Sequence, residues 1–276
     1  MDVPLIFDRK LYLARQACAS GEAVALLDTH IAGELSDRLS VINHQFAHAV
    51  VIAQRTGLAT EVLQRSGKIA RITQHAPPPD DDLKLEAASA DAIFSLLDLQ
   101  NINDVPGYLA QIAHALRPDG LAMLGFFAGE SLGELRQAWL QAETRLKGGV
   151  SPRVAPMIDL RETGGLLQRA GLALPVSDLD RVVLRYANAL ALMREVKALG
   201  FANALIGRSG TFTSRRLLYA AAEALAAADD GRIPLTVEIA WAMAWKPHPS
   251  QQQPLKPGSA KARLADALKI PSGNHT

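Results

Sequence analysis

Three short apolar runs constrain this chain more than any other feature. Ala49-Val50-Val51-Ile52-Ala53 is apolar throughout and β-branched at its three central residues, and so reads as a parallel strand buried on both faces. Residues 91–97 and 121–127 are similar runs of strand length. Helical patterns at 58–65 and 106–116 fall between them. Strand, helix and strand in alternation predict an α/β fold built on a parallel sheet.

Residues 68–73 add a further strand, and Gln54-Arg55-Thr56-Gly57 is the turn after the first. The stretch from His75 to Asp82 contains Pro77, Pro78 and Pro79, which remove backbone donors and fix φ, so regular structure is not expected there. Arg117-Pro118-Asp119-Gly120 has Pro and Gly where a turn needs them. Upstream, a helical pattern over 7–27 is broken at Ser20-Gly21, and a second covers 28–42 through Ile31, Leu35, Leu39 and Ile42. The second half carries helical patterns near 131–146, 159–170, 188–199 and 213–228. Residues 180–186 and 236–245 alternate like strands and are expected to finish the sheet as an antiparallel edge pair. The expected organisation is a domain over 1–246, with N-terminal helices at 7–42 and a sheet core at 48–245. A Pro- and Gln-rich tail, 247–276, follows and is expected to dock in part.

Lys and Arg number 29 against 28 Asp and Glu, so net charge gives no reason to expect nucleic acid or an anionic membrane as partner. No stretch approaches the roughly 18 apolar residues of a bilayer span. Asp8, Arg9 and Lys10 interrupt any secretory apolar region. The single cysteine, Cys18, excludes an internal disulfide and a Cys-rich metal site, and suits a reducing, cytoplasmic setting. His44 and His48 have the four-residue spacing of metal ligands on a helix but lack a third ligand, so both are expected to be structural and no metal is expected. Ser131 and Glu134 have the Ser-x-x-Glu spacing of a helix capping box. Arg208, Arg215 and Arg216 read as a solvated helix start. The chain lacks a nucleophile elbow, a Walker loop and paired zinc cysteines.

Several fragments carry a resemblance in order along the chain. Leu116-Arg117-Pro118-Asp119-Gly120, Ser89-Ala90-Asp91-Ala92-Ile93-Phe94-Ser95 and Asn103-Asp104-Val105-Pro106 resemble motifs of class I S-adenosylmethionine-dependent methyltransferases. A narrower resemblance joins Leu5-Ile6-Phe7-Asp8-Arg9, the segment from Gly129 to Arg136, the segment from Gly148 to Pro156, and the segment from Ser250 to Ala260. Together these resemble the bacterial relatives of a mitochondrial complex I assembly factor regarded as an arginine hydroxylase. That group is related to the malonyl-carrier-protein methyltransferases of biotin synthesis. The resemblance implies a methyltransferase-like (Rossmann-like) sandwich with a mostly parallel sheet and an antiparallel edge strand. It implies S-adenosylmethionine as cofactor and a protein or carrier-linked substrate.

Laid on the family's cofactor motif, the chain departs from it. Val51 stands at the acidic position, and Ala53 and Arg55 stand at the first two glycines, leaving Gly57. A glycine there lets backbone approach the cofactor, and Arg55 adds a cation beside a positive sulfonium. Gln74 takes the place of the ribose-binding acid, Asp81 and Asp82 fall near an adenine-side acid, Ser95 ends the family's fourth strand, and Asn101 stands where relatives often carry an aromatic residue. The cofactor contacts implied by resemblance are therefore Gly57, Gln74, Asp81 and Ser95. Glu130, Arg136 and Arg153 are the substrate or partner contacts that position and resemblance suggest, and Arg185 and Tyr186 join them as residues that end a strand facing the same cleft. Two readings follow: a cofactor-dependent modifying enzyme, and a non-catalytic binding or assembly protein that kept its partner-facing half.

Overall fold

The computed structural model describes residues 5–252. One six-stranded sheet runs through them in the order β2-β1-β3-β4-β6-β5. β1 (Phe46–Ile52), β2 (Ile69–His75), β3 (Ala90–Leu96) and β4 (Leu116–Phe127) are mutually parallel. β6 (Ile233–Trp245) runs antiparallel beside β4, and β5 (Ala173–Tyr186) pairs antiparallel with β6 at the edge. The expected parallel core and antiparallel finish are both present.

Strand alternation divides the core into two layers. Val50 and Ile52 join Ile93, Leu124 and Phe126 on one face, covered by Tyr108, Leu109 and Ile112 of α4 (Val105–Ala115) and Leu167 of α6 (Leu160–Arg169). Ala49 and Val51 join Phe94, Met123 and Trp241 on the other. That face is covered by Ile31, Leu35 and Leu39 of α2 (Glu22–Ser40) and Leu63 of α3 (Gly57–Arg65). Both faces are buried, which is why these strands read as unbroken apolar runs. A shorter α1 (Arg9–Ala17) precedes α2, and the break falls at Gly21, whose φ of 105° suits a residue without Cβ. A third cluster joins α5 (Gly133–Lys147) and α7 (Ala189–Ala198) to the start of β6 through Leu135, Leu192 and Leu235, and α8 (Arg215–Ala224) packs on α5.

Four local expectations need correction. α2 begins at Glu22, so 22–27 belong to the second helix and not the first. The turn at 117–120 is an excursion inside β4: Leu116 pairs with Ala90 and Leu121 with Ala92, while Asp119 adopts φ 64°. β5 starts seven residues before 180, at Ala173, because its first half faces solvent and mixes polar with apolar side chains. Ser131 and Glu134 form no capping box, since α5 starts at Gly133 with Leu132 at its N-cap. The Ser131 hydroxyl donates to Ala128 O and accepts from Glu238 N at 2.9 Å, while Glu134 accepts from Thr236 N at 3.0 Å. Both side chains stitch the entry of α5 to β6.

Gly125 lies opposite Trp241 in the β4–β6 ladder, and a Cβ there would stand 3.0 Å from two atoms of the Trp241 ring. Trp241 is fully buried in the core, among packed neighbours. Gly125→Ala is therefore expected to cost about 1–3 kcal/mol by overpacking. The urea midpoint should fall at an unchanged slope, and a wild-type midpoint would contradict this packing.

Candidate functional site

In open α/β sheets, ligands settle outside the carboxyl ends of the strands where the strand order reverses. Here that point lies between β1 and β3, over the turn 53–57 and the chain that leaves β3. The chain's own side chains fill it. Arg55 Nε donates to both carboxylate oxygens of Asp28, at 3.0 and 2.9 Å, and its Nη1 donates to Gln16 Oε1 at 2.8 Å. The space left among Gln16, Asp28, Arg55, Gly57 and Leu97 is about 30 Å³. That is about the volume of one water, whereas small-molecule sites run to roughly 300–1,000 Å³.

The exit of β3 is closed by a buried ionic network. Arg9, 3% exposed, places Nη1 2.7 Å from Asp98 Oδ1 and Nη2 3.2 Å from Asp98 Oδ2. Its Nε lies 2.8 Å from Asp81, and Nη2 also donates to Pro78 O. Burial works against the Arg9 charge, but Asp98 and Asp81 together more than offset it and hold the guanidinium above its ordinary pKa. Tyr108 donates to Asp98 at 3.2 Å, with Ser95 Oγ 3.2 Å from the same hydroxyl. Burial, reinforced by Asp98, pushes the Tyr108 hydroxyl well above the usual phenol range.

The four cofactor positions implied by resemblance therefore do not come together around a common space. Gly57 opens α3, and a Cβ there would meet nothing within 4 Å. Gln74, exposed, donates to Thr60 Oγ1 at 3.1 Å. Asp81 holds Arg9 and accepts from Asn103 N, and burial raises its carboxyl above the usual range. Ser95 is buried against Tyr108. Residues 76–89 join β2 to β3 without a strand or helix, so the wall that a further strand would build on the β2 side is missing. S-adenosylmethionine does not fit the cleft as these side chains fill it.

A separate cavity of about 520 Å³ opens beside the β4–β6–β5 half of the sheet. Leu27 of α2, Leu135 and Trp139 of α5, Met193 of α7, Phe201 and Leu235 make its wall predominantly apolar. Tyr12, Gln100 and Asn101 lie at the end nearest β3, and Arg153, Glu195 and Lys197 also line it. Of the five implied substrate or partner residues, only Arg153 reaches this cavity. Its guanidinium sits 4.8 Å from the centre of the Trp139 ring and is held by Glu143, at 2.6 Å from Nη2, and by Thr213. Burial opposes ionisation of Glu143, but Ser151 N, Arg153 and the Ser151 hydroxyl overcome it and bring its pKa down to about 2. Tyr186 is buried and donates to Glu195, whose side chain lines the cavity. Burial and Glu195 together raise the Tyr186 hydroxyl. Arg136 braces the neighbouring segment by donating to Ala155 O. Glu130 and Arg185 lie outside the cavity, Glu130 in the turn before α5 and Arg185 paired with Asp230 at 3.1 Å.

The two histidines with metal spacing share no site. His48 bridges Ser89 O and Thr73 Oγ1 within the sheet, and His44 lies against Phe46 and Trp245. Among the described residues, His30, Glu34 and Asp180 bring ligand-type atoms within 4.8 Å of one another. Pattern reading missed this group because Asp180 is 150 residues from His30. Its groups are already engaged, His30 with Asp180 and Glu34 with Arg38, which also grips Asp178 at 2.9 Å. Arg208 pairs with Asp8 and thus belongs to the α1 anchor. Of the tail, Gln251 is held by Asp119 and Lys246 O, and 253–276 lie outside the described residues.

Fold and cleft together define a protein of the class I methyltransferase fold. A candidate methyltransferase from Bacillus halodurans superposes with a TM-score of 0.53 at 7% identity, covering 79% of this chain and 99% of that one. No family model matches the chain. The mitochondrial arginine-hydroxylase NDUFAF5 of Rattus norvegicus is 30% identical over 289 residues, which is 96% of this chain and 84% of the relative. The malonyl-[acyl-carrier protein] O-methyltransferase of Laribacter hongkongensis is 30% identical over 276 residues, covering 88% and 90%. The chain belongs to the family that these two proteins share. It spans 65% of the length of the Danio rerio NDUFAF5, to which it is 34% identical. No helix among the described residues is long and apolar enough to cross a membrane.

Proposed function

We propose that this protein is a binding or assembly protein of the complex I assembly type. It keeps the methyltransferase fold, works without S-adenosylmethionine, and engages its ligand or protein partner on the β4–β6–β5 side. One observation carries the reading: Arg55 occupies the cleft after β1, locked to Asp28 and Gln16. A guanidinium in that place both fills the space and opposes a sulfonium. The large cavity is walled in part by β4, β5 and β6, and the segment 148–156 keeps an intact bonded frame around Glu143 and Arg153. Arg153 in the cavity wall and Arg136, which braces the segment beside it through Ala155 O, mark the partner-facing surface. A single exposed thiol, Cys18, suits a reducing compartment such as the cytoplasm.

The competing reading is methyl transfer from S-adenosylmethionine to a protein or a carrier-protein-linked substrate. Purified protein mixed with methyl-tritiated S-adenosylmethionine and malonyl-carrier protein separates the two. No transfer of label above a heat-denatured control is expected. Stoichiometric or catalytic labelling of the carrier, or of this protein itself, would establish the enzyme reading instead.

A further inference from the structure

Three side chains of metal-ligand type converge between α2 and β5. His30 and Glu34 are four residues apart on α2, so they share one face of the helix, a turn apart. Asp180 comes from β5 and pairs with His30 Nε2. One ring nitrogen of His30 and one oxygen of each carboxylate all lie within 4.8 Å of one another. Ligand atoms held about 2.1 Å from one ion stand at most about 4.2 Å apart, so small side-chain rotations suffice to close this set on a cation.

The charges around this group do not balance. Glu34, Asp178 and Asp180 are three carboxylates, and among the described residues Arg38 is the one guanidinium paired with them. With His30 neutral, two negative charges are left over. The side chains of Glu34 and Asp180 are 27% and 23% exposed, so water screens them only in part. Arg38 does not depend on Glu34. Its Nη2 reaches both oxygens of Asp178 at 2.9 Å, and its guanidinium lies 4.6 Å from the centre of the Trp241 ring. Glu34 can therefore turn to an ion without stranding a cation. We propose that His30, Glu34 and Asp180 bind a single divalent cation of the zinc class. A doubly charged ion cancels the excess, and one imidazole with two carboxylates suits Zn²⁺ better than Mg²⁺ or Ca²⁺, which take oxygen ligands. Three protein ligands leave a fourth position open. His30 also lines the 520 Å³ cavity, which places the ion at the cavity's edge. The inference goes beyond the proposed function and does not rest on it.

Full-length protein stripped with a chelator is titrated with Zn²⁺ by calorimetry and by competition with a chromophoric chelator. One ion per chain is expected, with a Kd of about micromolar or tighter, and millimolar Mg²⁺ should not displace it. His30→Gln, Glu34→Gln and Asp180→Asn should each weaken binding at least about tenfold. Cys18→Ser and His248→Gln, which remove exposed zinc-binding groups elsewhere, should leave the affinity within about twofold. Zn²⁺ should also raise the unfolding midpoint of the wild type and not that of the three site variants, because it binds only the folded site. His30 is the most exposed of the three ligands, so its variant keeps the test available if the Asp180 variant does not fold. No binding at about 100 μM free Zn²⁺, affinity that survives the site substitutions, or affinity lost in Cys18→Ser would overturn the proposal. None of these outcomes bears on whether S-adenosylmethionine binds, so failure here and failure of the proposed function are distinct.

Discussion

Asp98→Ala is expected to lower the unfolding free energy by about 3–5 kcal/mol, the usual cost of leaving a buried charge without its partner. Asp98 is 1% exposed and accepts from two nitrogens of Arg9 and from Tyr108. Removing it strands a guanidinium that is itself 3% exposed, with Asp81 and Pro78 O as its remaining partners. The loss should concentrate where Arg9 ties α1 to the exit of β3, so amide exchange across 9–17 should accelerate more than in β1 or β4. The triple variant Arg9→Met, Asp98→Leu, Asp81→Asn should recover part of the loss, because it removes the buried charges together and leaves none of the three without its partner. A single variant within about 1 kcal/mol of wild type in urea denaturation would mean that the network is not buried as described.

Glu143→Gln has a second large effect, and a pH signature. Glu143 is 1% exposed and is bonded by Ser151 N at 2.6 Å, by the Ser151 hydroxyl at 2.8 Å and by two nitrogens of Arg153. Its folded pKa is about 2, against an ordinary 4.5. A carboxyl depressed on folding stabilises the protein above its unfolded pKa and loses that contribution as pH falls toward its folded pKa. The contribution, about 3 kcal/mol at neutral pH, should therefore fade between about pH 4.5 and pH 2. Subtracting the Glu143→Gln stability profile from that of wild type, from pH 7 down to pH 3, isolates the term from other carboxyls. A difference that stays constant across that range would contradict it. The variant should also loosen Arg153 from the cavity wall, since Glu143 and Thr213 are its hydrogen-bond partners.

The parts of this fold that are legible in sequence are those whose causes are local. Val50 and Ile52 face one layer and Ala49 and Val51 the other, so β1 had to be apolar at every step. Asp104 before Pro106 announces the start of α4, where its carboxylate accepts from Gly107 N at 2.9 Å. The Ser131–Glu134 spacing was misleading because the same two residue types also suit a link to a strand more than 100 residues away. The first half of β5 was hidden by Pro175, Ser177 and Asp178, which an exposed edge strand tolerates.

The candidate site divides in the same way. Erosion of the turn after β1 is visible in Ala53 and Arg55, but the residue that Arg55 holds is not. Asp28 sits on α2, 27 positions earlier, and nothing in its neighbours marks it. The Arg9–Asp98 network spans 89 residues and is invisible to any local pattern. Asn101 was noticeable as a departure from relatives, and Gln100 beside it was not, although both line the cavity. Arg153 was legible through its segment, while the cavity it lines is assembled from several helices and three strands.

The cleft of this methyltransferase fold is filled from within by Arg55, Asp28 and Gln16. Isothermal titration of the folded protein with S-adenosylmethionine and S-adenosylhomocysteine reads that filling. The expected result is no saturable heat with either ligand up to about millimolar concentration. Saturable binding with a micromolar Kd would contradict it: the Arg55–Asp28 pair would then open readily, and the chain would hold a working cofactor site.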